Sequence, residues 1–141
     1  MALADAQDTA LANLQSLLTK ATTELERVYI DAPGQINELP CLVVFDLGMT
    51  EQRAGQWREI LWDLDLVVYV AESNPEAVKR ARTIRAKVID RLATDITLSG
   101  AVSASLWQSP FRLVGLQYGS INYDGARGTY RLVIREAKAY G

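Results

Sequence analysis

The sequence predicts an α+β fold: a single domain in which two main helices pack on one face of a mostly antiparallel sheet. Three observations carry that prediction. Apolar residues recur at helical spacing near the start of the chain and again in its middle. Runs rich in Val, Leu, Ile and Tyr follow each of these stretches and alternate at period two. The connections are short, which favours antiparallel neighbours. The expected organisation of residues 1–141 is an N-terminal helix over 1–24, a sheet plus central helix over 25–136, and a tail over 137–141.

The opening is read as an amphipathic helix because Leu3, Ala10, Leu14, Leu17, Leu18 and Ala21 recur three, four and seven apart. Asp5 and Asp8 lie in its first turns, where the helix dipole favours negative charge. "ERVYI" is a short β-prone run, and "DAPGQINELP" then interrupts regular structure with two prolines and a glycine. "CLVVFDL" is a strand, and "GMTEQRAGQW" a polar loop. In "ILWDLDLVVYV" the side chains of Ile60, Trp62, Leu64, Leu66, Val68 and Val70 share one face. At about 3.3 Å per residue this strand spans roughly 35 Å, against a usual ~17–20 Å. It is therefore expected to outrun its sheet and to meet another chain.

Asn74 and Pro75 suit the N-cap and first position of a helix. Its apolar stripe is Ala77, Ala81, Ile84, Val88 and Leu92, flanked by Val78 and Ile89. Arg85 falls inside the apolar arc, where either a snorkelling stem or a partner acid would satisfy it. "SLWQSPFRLVGLQYG" reads as strand broken near Pro110, and "GTYRLVIRE" as the last strand.

Composition bounds the function. Apolar residues make up 49% of the chain, which is a globular value. A net charge of −2 gives no strong attraction to nucleic acid or to an anionic membrane. There is no apolar run long enough for a membrane span and no secretory signal, so synthesis in the cytoplasm is expected. The chain has one cysteine and no histidine, which excludes histidine triads and histidine metal sites. Cys41 is read as a small core residue, not a nucleophile.

Asp63 and Asp65 sit at i and i+2 on a strand and point the same way. Such a pair is able to hold a hard cation or share acid–base work. The pattern around them is also that of a solvated sheet face, the reading taken here. Arg80, Lys87 and Arg91 share one helix edge, where a solvated face outweighs phosphate binding. "YDGARG" lacks the ending of a phosphate loop, and its glycines are expected to supply positive φ to a hairpin turn. The last strand places Tyr130, Leu132 and Ile134 on the core face and Arg131 and Arg135 on the other. With Arg127 these form a basic surface, and opposite charges on partner surfaces would steer assembly. From its residues alone the chain is an α+β domain with assembly features and no catalytic set.

Taken in order, "LPCLVVFDLG", "WREILWDLDLVVYVAES", "NPEAVKRARTIRAKVIDRL" and "FRLVGLQYGSINYDGARGTYRLVIRE" resemble the tail terminator (tail completion) proteins of long-tailed bacteriophages and related prophages. The resemblance covers about residues 3–136. It implies a ring, usually a hexamer, at the head-proximal end of the tail tube. The ring stops tube polymerisation and forms the interface for head–tail joining. The implied partners are further copies of the chain, the tail tube protein and a head-closure or connector protein. Genomic DNA would pass through without specific binding. The resemblance implies no enzymatic activity, cofactor, metal or membrane. Its location would be the host cytoplasm during assembly and the virion neck afterwards.

By the same resemblance, the hairpin over residues 118–130 lies at a subunit or tube contact, with Tyr118, Tyr123, Asp124 and Gly125 shaping its tip. Asp63 and Asp65 would supply an acidic contact face, and Arg127, Arg131 and Arg135 a basic one, for a head-to-tail ring. A bulky residue at Gly125 is then expected to cost about 1–3 kcal/mol of backbone strain and to harm assembly more than folding. Two other readings stand beside this one: a head-closure or other neck protein, and a small-ligand or nucleic-acid-binding α+β domain.

Overall fold

The computed structural model describes residues 2–137; the expected tail beyond Ala137 lies outside the described residues. In order, the elements are α1 (Leu3–Leu17), α2 (Lys20–Thr23), β1 (Arg27–Tyr29), β2 (Cys41–Ala54), β3 (Trp57–Glu72), α3 (Pro75–Ala93), β4 (Ala104–Trp107), β5 (Arg112–Tyr118) and β6 (Ile121–Ala137). The strands form one mixed sheet in the order β1-β2-β3-β6-β4, with β5 on the same outer edge of β6 as β4. The β1–β2 pair is parallel, and the other pairs are antiparallel. The fold class is therefore α+β, as the alternating and helical periodicities predict.

The central helix follows its sequence signals closely. The Asn74 side chain accepts a hydrogen bond from Ala77 N at 2.9 Å, and Pro75 opens the first turn. The predicted stripe Ala77, Ala81, Ile84, Val88 and Leu92 is the buried one. It packs with α1, through Ala6, Ala10 and Leu14, over one face of the sheet. From the sheet come Trp62, Leu64, Leu66, Leu132 and Ile134. Lys87 and Arg91 are turned toward the N-terminal segment: Lys87 Nζ lies 2.7 Å from Glu24 Oε2, and Arg91 Nε donates to Leu17 O at 2.9 Å. That edge holds the N-terminal helices in place. Arg85 is half-buried, and among the described residues no carboxylate lies within ion-pair distance of it.

Four expectations are corrected. The opening helix stops at Leu17 and does not run through Ala21, which is exposed. The polar stretch after Leu47 is not a loop: β2 continues to Ala54 and turns at Gly55, whose φ is 65°. Backbone pairing with β3 holds these polar residues in the sheet, and two of them also find cross-strand side-chain partners. Arg58 Nε donates to Glu51 at 2.9 Å, and Gln52 donates to Glu59 at 2.6 Å. The long strand β3 does not outrun its sheet, since β2 and β6 pair with it along nearly its whole length. The last strand begins at Ile121 and not at Gly128, so the region expected to be a hairpin tip is strand interior.

Candidate interaction surface

The sheet face opposite the helices carries the predicted site residues. Side chains alternate along a strand, so Glu59, Asp63 and Asp65 on β3 and Arg127, Arg131 and Arg135 on β6 all point to it. The register places Glu59 opposite Arg135, Asp63 opposite Arg131, and Asp65 two residues from Arg127. Each arginine reaches its carboxylate. Arg127 Nη2 lies 2.6 Å and Nε 3.0 Å from Asp65 Oδ2. Arg131 donates to both Asp63 oxygens, at 2.8 and 3.1 Å. Arg135 donates twice to Glu59 Oε2, at 3.0 and 2.5 Å.

The expected acidic and basic faces are thus one ladder, neutralised within a single chain. Six charges on adjacent strands of one sheet satisfy each other before any neighbour arrives. In each of these pairs the arginine remains open to solvent while Asp65 and Glu59 are buried, so screening keeps the direct gain in stability modest. Their larger effect is on register, because a one-residue slip of β6 would turn all three arginines toward the core.

Glu59 is drawn below its ordinary value of 4.5, chiefly by the hydrogen bond from Arg135 and then by that from Gln52. Its contribution to stability is complete above that ordinary value and is lost as the pH falls through the lower folded one. Thermal unfolding followed from about pH 5 to about pH 3 should therefore lower the midpoint of the wild type more than that of Glu59→Gln. Parallel curves would remove Glu59 from the acid response.

The hairpin is corrected too. Its turn is at Gly119 and Ser120, with φ of 61° at Gly119, whereas Gly125 is not in the positive-φ region. Gly125 lies in β6 opposite Tyr69, at a point where an added Cβ would stand 1.8 Å from Val68 O. Its lack of a side chain serves a close strand approach. Tyr123 is buried and meets Tyr69 edge-on, with ring centroids 5.5 Å apart. Tyr118 meets the same ring at 5.4 Å, and its hydroxyl donates to Pro33 O. Asp124 accepts from Asn74 N at 3.1 Å and so ties β6 to the start of α3.

These tyrosines close a second, smaller core on the outer face, with Cys41, Val43 and Val67. Burial pushes the Cys41 thiol up to about 12, with the Glu38 charge adding to the effect, so it stays protonated.

The chain is similar to a solved structure, that of the bacteriophage SPP1 gp17 protein. The match covers 95% of this chain and 91% of that one, at 15% identity and a TM-score of 0.42. No family model matches the chain, and none of the curated proteins does.

Sequence reading missed part of this surface. Leu47 is 55% exposed and Leu106 44%, both large apolar side chains open to solvent. Trp57, an aromatic of the kind that the sequence offers for a contact, is 46% exposed beside them. Glu59 completes the ladder and shares the strand parity of Asp63, a signal present in the sequence. Beside the ladder, two adjoining cavities of about 210 and 390 Å³ share Leu47, Asp65 and Arg127. Together they form an open groove between the outer strand β2 and strand β5.

Proposed function

We propose that this chain is a structural protein of a long-tailed bacteriophage, and specifically the tail terminator, acting as a ring that caps the tail tube. The observation that carries the reading is a pair of unlike open sheet edges. β1 covers β2 only at Cys41–Val43, so the rest of that edge has no strand beside it among the described residues. At the other side β5 pairs only with β6. The β2 edge carries Asp46, Glu51 and Arg53 and a bulge between Asp46 and Gly48, all of which discourage like-with-like pairing. β5 has a single charge, Arg112, at its start.

Two different patches on opposite sides suit a head-to-tail contact, which closes into a ring when the rotation per subunit allows it. The exposed Leu47 and Trp57 lie on β2 and β3 beside one edge, and Leu106 lies on β4 near the other. The ladder arginines remain partly exposed, and Arg127 and Arg135 contribute polar rim to such a contact. Tyr123 and Gly125 act behind it, by shaping β6. The ring works by capping and not by catalysis, and the genome passes through its lumen.

Native mass spectrometry of purified protein and electron microscopy of tail-bound material should both give a ring, with six copies expected from the family resemblance. A strict monomer in both preparations would refute the assignment.

A further inference from the structure

We propose that α1 of one copy packs along α3 of the next, with Asp5 and Asp8 set against Arg82 and Arg85. The inference rests on the head-to-tail ring and names the helices that join its subunits.

Beside its buried stripe, α3 carries a second one. Val78, Arg82, Arg85 and Ile89 recur four, three and four residues apart and so share one flank of the helix. That flank looks away from the N-terminal helices, which Lys87 and Arg91 meet on the other side. Val78 is 38% and Ile89 36% exposed, large apolar side chains with no cover. Arg82 is exposed and Arg85 half-buried, and among the described residues no carboxylate lies within ion-pair distance of either. No acid stands three or four residues from them along the helix, and at a spacing of three the two arginines repel each other.

The complement is on α1. Asp5, Asp8 and Ala12 recur three and four apart on its exposed side. Among the described residues no cation lies within ion-pair distance of either aspartate, and this pair also repels itself. The helix dipole favours Asp5 in the first turn, but its influence fades before Asp8. The spacings match: the two acids and the two arginines are each about 4.5 Å apart along their helix axes. With the helices antiparallel, Ala12 falls opposite Val78; with them parallel, it falls opposite Ile89. A small side chain there lets the axes approach and covers apolar surface. Two self-repelling pairs of opposite sign thus become two ion pairs between copies.

The two helices stand toward opposite sides of the sheet. On α1, Gln15 donates to Val28 O on β1 at 2.8 Å. On α3, Val78 and Ala81 line a cavity with Leu113 and Val114 of β5. A neighbour that brings its β2 side to the β5 side therefore brings α1 to α3, and the helix layer continues from subunit to subunit.

The test is charge reversal in the full chain, followed by sedimentation velocity and native mass spectrometry. Asp5→Arg with Asp8→Arg, and Arg82→Glu with Arg85→Glu, should each weaken self-association at least about tenfold. Mixed in equal amounts, the two variants should assemble again as an alternating ring, since each reversed face then meets one of opposite sign. If circular dichroism shows that Arg85→Glu disturbs the fold, Arg82→Glu alone takes its place. A ring that forms as in the wild type despite either reversal, or folded variants that stay apart on mixing, would overturn the contact and leave the terminator reading standing. So would an intact ring of the arginine variant that no longer retains duplex DNA, since a phosphate backbone would then be the partner of Arg82 and Arg85. A wild type that is a strict monomer, both free and on tails, would overturn both readings.

Discussion

Tails assembled without this chain should reach abnormal lengths and should fail to join heads. Tube growth is an open head-to-tail series, so each added layer recreates the surface that binds the next. A ring matching that surface on one side only would end the series. Its other side must refuse tube subunits, which requires features that oppose binding as well as features that favour it. Purified protein added to polymerising tube subunits should therefore arrest extension at far less than one copy per subunit, because each growing end needs a single ring. Electron micrographs of tails from a phage lacking the gene give the length distribution directly. Tails of normal length that still attach to heads would dismiss the terminator assignment. Tails of normal length that fail only in attachment would favour a head-closure role.

Gly125→Val should unfold the chain or come close to it. An added Cβ would meet the Val68 carbonyl oxygen at 1.8 Å and the Leu116 side chain at 2.9 Å. The first obstacle is backbone in the middle of β3, held by β2 on its other edge, and it has nowhere to move. Relief requires parting β3 from β6, the strands that carry most of the sheet's share of the core. Overpacking in a core commonly costs about 1–3 kcal/mol, and here the rigid backbone sets the cost at the upper end or beyond. That is a large share of a typical total of roughly 5–15 kcal/mol. The contrast is Gly119→Ala, at the real turn, where an added Cβ meets nothing within 4 Å and the strain comes only from a φ of 61°. That change should cost about 1 kcal/mol. Chemical denaturation of the two variants gives the comparison, and a Gly125→Val midpoint near that of the wild type would contradict the close approach. The effect falls on folding, the reverse of what a contact-tip reading of Gly125 implies.

The legible parts of the fold were those fixed by local signals. Asn74, Pro75 and a stripe of apolar residues specify α3 without any knowledge of its surroundings, and Pro110 marks the break between β4 and β5. The illegible parts depend on partners distant in sequence. Thr50 to Arg53 look like loop because their side chains are polar, and only pairing with β3 makes them strand. Gly125 and Gly128 look like turn residues because glycine permits positive φ. In the structure they make room instead, Gly125 for Val68 and Gly128 for Phe111 and Trp107. The same limit applies to the interaction surface. The parity of Asp63 and Asp65 could be read from the sequence, as could that of Arg127, Arg131 and Arg135. Their pairing could not, because it depends on the β3–β6 register across more than sixty residues.

The position of β6 has a consequence for how the protein is made. Among the described residues it is the last strand in sequence, yet it lies inside the sheet, between β3 and the outer strands β4 and β5. While the ribosome is still translating the preceding residues, the edge of β3 stands open, and β4 and β5 have nothing to pair with. The nascent chain must therefore wait for its closing segment with a long apolar strand unprotected, a state prone to mispairing with other chains. Folding should complete only after residue 137 clears the exit tunnel, so yield will depend on chaperone supply and expression temperature.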